Sequence, residues 1–212
     1  MATSSPANPK NKFDYVGDIH NQIVSEFVTE TEGLKLTNKE VLEKVESITL
    51  SNTDYVKRFG SEYYGLTEEQ VNEGIKDFPN EFENIINDLP ISEEAKKIFN
   101  ELVGKTFEIE NSQLSYEEYK DYVLKLEDSI FKNTTLPEKE KDSILYTTSV
   151  ARYSSYLWVG SNDNSTSKKH FGWVIAGDVV GGIIGGIFGG VVGGIGGASG
   201  GSSLVHTINE SK

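Results

Sequence analysis

Residues 177–201 read GDVVGGIIGGIFGGVVGGIGGASGG, and the placement of this stretch decides the fold. One row of glycines, Gly177, Gly181, Gly185, Gly189, Gly193 and Gly197, recurs at every fourth position. A second row runs Gly182, Gly186, Gly190 and Gly194, and Val, Ile and Phe fill the gaps. On a helix, small residues four apart form a ridge that another helix backbone can approach closely, so the pattern reads as a GxxxG glycine zipper. Each Gly costs about 1 kcal/mol relative to Ala in a helix interior, so ten of them cost roughly 10 kcal/mol. Such a segment holds a helix only when enclosed by protein or lipid. Three placements follow: a helix or hairpin buried in the protein's own bundle, a membrane or oligomer contact, or a flexible stretch. The uncharged run 179–199 is about 31 Å long as a helix, enough to cross a bilayer. Lys168, Lys169 and His170, followed by Phe171 and Trp173, resemble an interfacial anchor. The many glycines and Asp178 at the entry argue the other way. The expectation is a zipper segment, residues 171–205, packed on a helical bundle, with residues 206–212 as a tail.

The rest of the chain supplies that bundle. Residues 13–159 carry apolar side chains at helical spacing, beginning with Phe13, Val16, Ile19, Ile23, Val24 and Phe27. Thr37/Glu40, Thr67/Gln70 and Ser115/Glu118 have the spacing of capping boxes, Ser92 opens a further helix, and Gly33 is a plausible stop. A short helix is expected between Ser51 and Gly65. Pro79 interrupts one helix, and Pro137 suits the first turn of another. No run of alternating polarity suggests a strand. The predicted class is therefore all-α, an acidic amphipathic multi-helix bundle around or followed by the Gly-rich helix or hairpin. Residues 1–12 (MATSSPANPKNK) read as a flexible tether, and residues 160–170 as a polar loop.

Composition narrows the function classes. The 212 residues carry Lys+Arg 20 against Asp+Glu 33, a net charge of −13, with no Cys. Without Cys there is no disulfide, thiolate metal site or thiol nucleophile. An acidic surface disfavours nucleic acid, whose phosphates need clustered Lys and Arg. Only Asp178, Glu210 and Lys212 are charged beyond residue 170, so the first 170 residues hold nearly all the net charge.

Few residues suggest chemistry. His20 falls in the middle of the apolar stripe that begins at Phe13, so it reads as a buried polar residue with a structural partner from another helix. Residues Gly197-Ala198-Ser199-Gly200-Gly201 match GxSxG, but lack the strand-turn-helix setting of a nucleophile elbow. Acidic pairs such as Glu68/Glu69, Glu93/Glu94 and Glu117/Glu118 suit first helical turns. Asn162-Asp163-Asn164 lacks the spacing of a calcium loop. The numerous Tyr and Trp are expected to wall the core with their polar tips at the surface. No catalytic residue, metal ligand or cofactor is assigned.

Three segments carry a resemblance: Asn11-Lys12-Phe13-Asp14-Tyr15-Val16-Gly17-Asp18-Ile19-His20-Asn21, then Ala151-Arg152-Tyr153-Ser154-Ser155-Tyr156-Leu157-Trp158, then Trp173 followed by Ala176-Gly177-Asp178 and the glycine array. In this order they resemble a loose group of uncharacterised, lipoprotein-like helical proteins of Bacteroidota. Members of that group pair an N-x-[FY]-D-x-x-G-x-x-H-N opening with a Gly-rich C-terminal helix. The resemblance implies an extracellular or cell-envelope location and lends no activity. This sequence departs from the group in having no export signal or lipidated Cys. The functional expectation is an exported, non-enzymatic helical protein that binds a protein, glycan or membrane partner. The alternative is a membrane-active protein, pore-forming or bacteriocin-like, that contacts the bilayer through residues 173–200; a third reading is an enzyme of unrecognised class.

Overall fold

A computed structural model describes residues 3–75, 82–111, 113–160 and 171–210. Among them the protein is all-helical, without strands. The elements are α1 (Asp14–Thr31), α2 (Asn38–Ser51), α3 (Thr53–Phe59), α4 (Glu68–Ile75), α5 (Phe82–Asn87), α6 (Glu93–Glu110), α7 (Tyr116–Lys132), α8 (Glu138–Ser155), a π-helical turn Tyr156–Gly160, and α9 (Phe171–Glu210). The local signals sit where the sequence places them. Thr37 and Glu40 form a reciprocal capping box on α2, and Ser115 and Glu118 form one on α7. Thr67 and Gln70 exchange the same two bonds ahead of α4, and Ser92 caps α6. Gly33 has φ +73° just past the end of α1, a conformation that favours glycine. Pro79 and residues 161–170, the bulk of the expected polar loop, lie outside the described residues.

The Gly-rich segment is a helical hairpin. Gly190 has φ 61° and ψ −146°, which breaks α9 into a first limb (171–189) and a second limb (191–210). The limbs pack antiparallel along a glycine seam. A Cβ placed on Gly181 would lie 2.2 Å from the Gly197 carbonyl oxygen, and one on Gly185 would lie 2.0 Å from that of Gly193. Gly177 and Gly201 oppose each other in the same way, with the Gly201 Cβ position 2.2 Å from the Gly177 oxygen. The four-residue repeat thus brings backbone against backbone. Gly189 lies beside the Tyr64 ring at the turn, outside the seam.

The hairpin organises the core. Ile175, Val179 and Ile183 of the first limb pack with Phe99, Leu102, Tyr119, Val123 and Ile144 from α6, α7 and α8. Ile195, Ala198 and Leu204 of the second limb pack with Val16, Ile19, Ile23, Val45 and Val150 from α1, α2 and α8. Each limb therefore has its own amphipathic shell, and α8 serves both. Close approach of α1 to α8 needs Gly17, where a Cβ would lie 2.5 Å from the Ser149 carbonyl oxygen.

Three expectations need correction. Residues 3–12 are a docked strap and not a loose tether. Pro6, Asn8 and Asn11 are buried, and both Asn side chains donate to the Glu127 carboxylate. Residues 206–210 are not a tail, because the second limb remains helical to Glu210. The phenol tips do not all reach the surface: Tyr119 is fully buried, and its hydroxyl lacks a hydrogen-bond partner.

Candidate functional site

Two buried polar groups and one apolar tip are the candidates. The first polar group forms where α1, α8 and the first limb meet. His20 and Asp178 are both fully buried, with Nε2 3.7 Å from Oδ1. The His20 Nδ1 edge lies 3.0 Å from Asn21 Oδ1, and Asn21 in turn donates to the Tyr153 carbonyl at 2.7 Å. Ser154 Oγ donates to Asp178 Oδ2. His20 Nε2 and Asp178 Oδ1 each lack a hydrogen-bond partner, so the two polar atoms face each other in the core without a bond between them. The Tyr119 phenol is pushed well up from its ordinary pKa, first by burial, then by the neighbouring Tyr122 and Asp178. The sequence placed His20 correctly on the buried face. It left Asp178 as a residue near the entry of the Gly-rich segment, when it is the carboxylate that His20 faces. Neither side chain of the pair touches solvent, and reaction chemistry needs a substrate path.

The second group lies under the strap. Glu127 and Arg152 are fully buried. Arg152 contacts the Asp14 carboxylate at 2.7 Å and Glu127 at 3.2 Å, and a guanidinium nitrogen donates to the Pro6 carbonyl. Glu127 accepts from Asn8 at 2.6 Å, Asn11 at 2.7 Å and Thr148 at 2.8 Å. A buried charge pair is tolerated when its remaining lone pairs and protons are matched. Here the strap supplies two of the donors, which is why it is docked. On the outside of the strap, Ser4 donates through both N–H and Oγ to Glu117, and these bonds hold that carboxyl below its usual range. These contacts account for the docking of residues 3–12, and the Glu127–Arg152 pair beneath them is enclosed.

The third candidate is the turn of the hairpin, read Ile187-Phe188-Gly189-Gly190-Val191-Val192. Ile187, Val191 and Val192 are half-buried, while Phe188 is 53% exposed. The Tyr64 ring, 41% exposed, lies across the turn against Gly189 and Gly193. The Tyr64 ring thus covers the turn at Gly189 and Gly193, while Ile187 and Phe188 border a crevice with Pro90, Ile91, Pro137, Lys139 and Glu140. The seam glycines Gly177, Gly181, Gly185, Gly193 and Gly197 are instead spent inside the hairpin and hidden from any partner. The crevice that borders the turn, beside Pro90, Pro137, Ile187 and Phe188, holds about 240 Å³, and a second, towards the Gly177/Gly201 end of the limbs beside Leu66, Val71 and Ile85, holds about 70 Å³; both are small for a substrate of ordinary size. Among the described residues no group of His, Asp and Glu is arranged to hold a metal ion. Ser199 of the GxSxG match is buried in the middle of the second limb, far from the geometry of a nucleophile elbow. Comparison with protein-family models, curated proteins and solved structures finds no match.

Proposed function

We propose that the protein is a non-enzymatic, exported helical module that acts by contact, and that the tip of the α9 hairpin is the element that makes the contact. The observation that carries this reading is the exposed apolar turn. A helix hairpin that faces water ordinarily turns through polar residues. This one turns through Ile187, Phe188, Val191 and Val192 around two glycines, with Phe188 more than half exposed. The enclosure of His20, Asp178 and Ser154 supports the non-enzymatic half of the reading, because the residue types best suited to proton or acyl transfer are sealed inside. The envelope or extracellular setting rests on the resemblance of the Asn11–Asn21 segment and the glycine array.

A photo-crosslinking side chain at position 188, compared with one at the equally exposed Leu34, tests this in envelope preparations. The reading expects adducts from position 188 and few from position 34. Equal yields at both positions, or none at either, would sink it.

A further inference from the structure

We propose that His20 and Asp178 form a proton-binding site in the core: the folded chain holds one proton between Nε2 and Oδ1, and this proton ties the first limb of the hairpin to α1. The hydrogen-bond roles around the pair fix the count. The Tyr153 carbonyl only accepts, so the Asn21 amide nitrogen faces it and the Asn21 oxygen faces the His20 ring. That oxygen also only accepts, so Nδ1 carries the ring hydrogen. A neutral imidazole then presents a bare lone pair at Nε2. Facing it at 3.7 Å is Asp178 Oδ1, which has no donor, while Ser154 occupies Oδ2. Two acceptors thus oppose each other at a fully buried place. One added proton turns the pair into donor and acceptor, whichever atom carries it, and belongs to the pair as a unit. A side-chain shift of roughly 0.8 Å then closes the gap to a hydrogen bond.

Among the described residues no other charge balances Asp178. The only buried Lys or Arg among them, Arg152 of α8, is engaged by Asp14, Glu127 and the Pro6 carbonyl. The Tyr153 hydroxyl of α8 donates to Asp14, and Asp18 of α1 is exposed. From α7 comes the Tyr119 phenol, whose ionisation is opposed by burial and by Asp178. α2 and α6 turn inward only apolar side chains and threonines. The second limb carries no Asp, Glu, Lys or Arg before Glu210, and its His206 stacks on Trp158. A buried carboxylate with one hydrogen bond and no cation is costly, and a proton removes that cost. The site is sealed, so it is independent of contact at the hairpin tip.

Asp178→Asn on the full chain tests this, because an amide reproduces the protonated acid. Its oxygen accepts from Ser154, and its nitrogen donates to Nε2 without a bound proton. Urea unfolding gives the folding equilibrium constants of wild type and variant between about pH 6 and 8. The other titrating groups are common to both chains and cancel in the ratio. In the unfolded chain Asp178 is ionised throughout this range, so the slope of the ratio counts the folded-state proton. Wild type, with one proton more when folded, should lose about tenfold relative to Asp178→Asn for each unit of rising pH. A flat ratio means a proton-free pair and overturns the proposal. A second measurement needs no variant. In 15N NMR of wild type labelled at its three histidines, the buried ring should show a protonated or hydrogen-bonded Nε2 at about pH 7. A buried ring with a bare Nε2 overturns the proposal even where Asp178→Asn fails to fold.

Discussion

Replacing Gly185 with Ala tests the glycine seam directly. A methyl group at this position would sit 2.0 Å from the Gly193 carbonyl oxygen, 2.8 Å from its carbonyl carbon and 3.1 Å from the Gly197 Cα. All three neighbours are backbone, so no side chain can rotate away. Ordinary contact begins near 3.4 Å, and the limbs must separate locally by roughly 1.4 Å, which also loosens Ile183 and Ile195 on either side. Overpacking of this kind costs about 1–3 kcal/mol, and the top of that range applies where only backbone can yield. The better helix propensity of Ala returns about 1 kcal/mol. The net expectation is a destabilisation of about 2 kcal/mol, or a Tm lower by about 4–8 °C in a chain of this size. Gly104 is the control. It lies within α6 with nothing within 4 Å of its Cβ position, so Gly104→Ala gains propensity without a clash and should raise stability by about 0.5–1 kcal/mol. Circular dichroism during urea and thermal unfolding of the two variants measures both. If Gly185→Ala is as stable as Gly104→Ala, the limbs do not touch along the glycine row and the hairpin geometry is wrong.

Three other outcomes follow from the same structure. Glu127→Gln removes the buried carboxylate that faces Arg152, Asn8 and Asn11, and should destabilise the fold by about 3–5 kcal/mol in urea titration, with earlier proteolysis of residues 1–12. The Gly182 Cβ position is 3.5 Å from the Ala198 Cβ, so Gly182→Cys with Ala198→Cys should close a disulfide across the limbs and raise stability by about 3 kcal/mol; free thiols after mild oxidation would contradict the antiparallel register. Burial pushes the phenols of Tyr55 and Tyr146 up to about 12. A group with a raised folded pKa stabilises fully below its unfolded value, near 10, and that contribution disappears as pH rises through 12. Ultraviolet titration should therefore show these two ionising late and together with loss of helix. Reversible ionisation near pH 10 of all ten tyrosines, in a chain that stays helical, would refute their burial.

Much of this fold is written locally. A capping box needs only a hydroxyl and a carboxylate three residues apart, so Thr37/Glu40 and Ser115/Glu118 could be read without knowing any neighbour. The helical wheel that put His20 among Phe13, Val16, Val24 and Phe27 gave its burial for the same reason, because an amphipathic helix turns one face inward whatever it meets there. The partner was another matter. Asp178 lies far along the chain, and no spacing rule links it to His20. Glu127 and Arg152 look like ordinary surface charges on α7 and α8; only their meeting with Asp14 and the strap makes burial possible. The strap itself has no helical period or apolar pattern. It reads as a tether because it is held by side-chain bonds to residues more than a hundred positions away.

The sequence by itself determined that this is an acidic all-α protein with a glycine array built for close helix contact, since the four-residue repeat and its energetic cost have no use in a helix that touches nothing. The tertiary structure decided what the glycines touch. A single positive φ at Gly190 folds the array back so that Gly177, Gly181 and Gly185 meet Gly201, Gly197 and Gly193. Glycine permits that backbone conformation at many positions in the array, so composition could not say where the turn falls. Packing against two different shells, one on each limb, selected it. The same turn buries the seam inside the hairpin and leaves Phe188 at its exposed end.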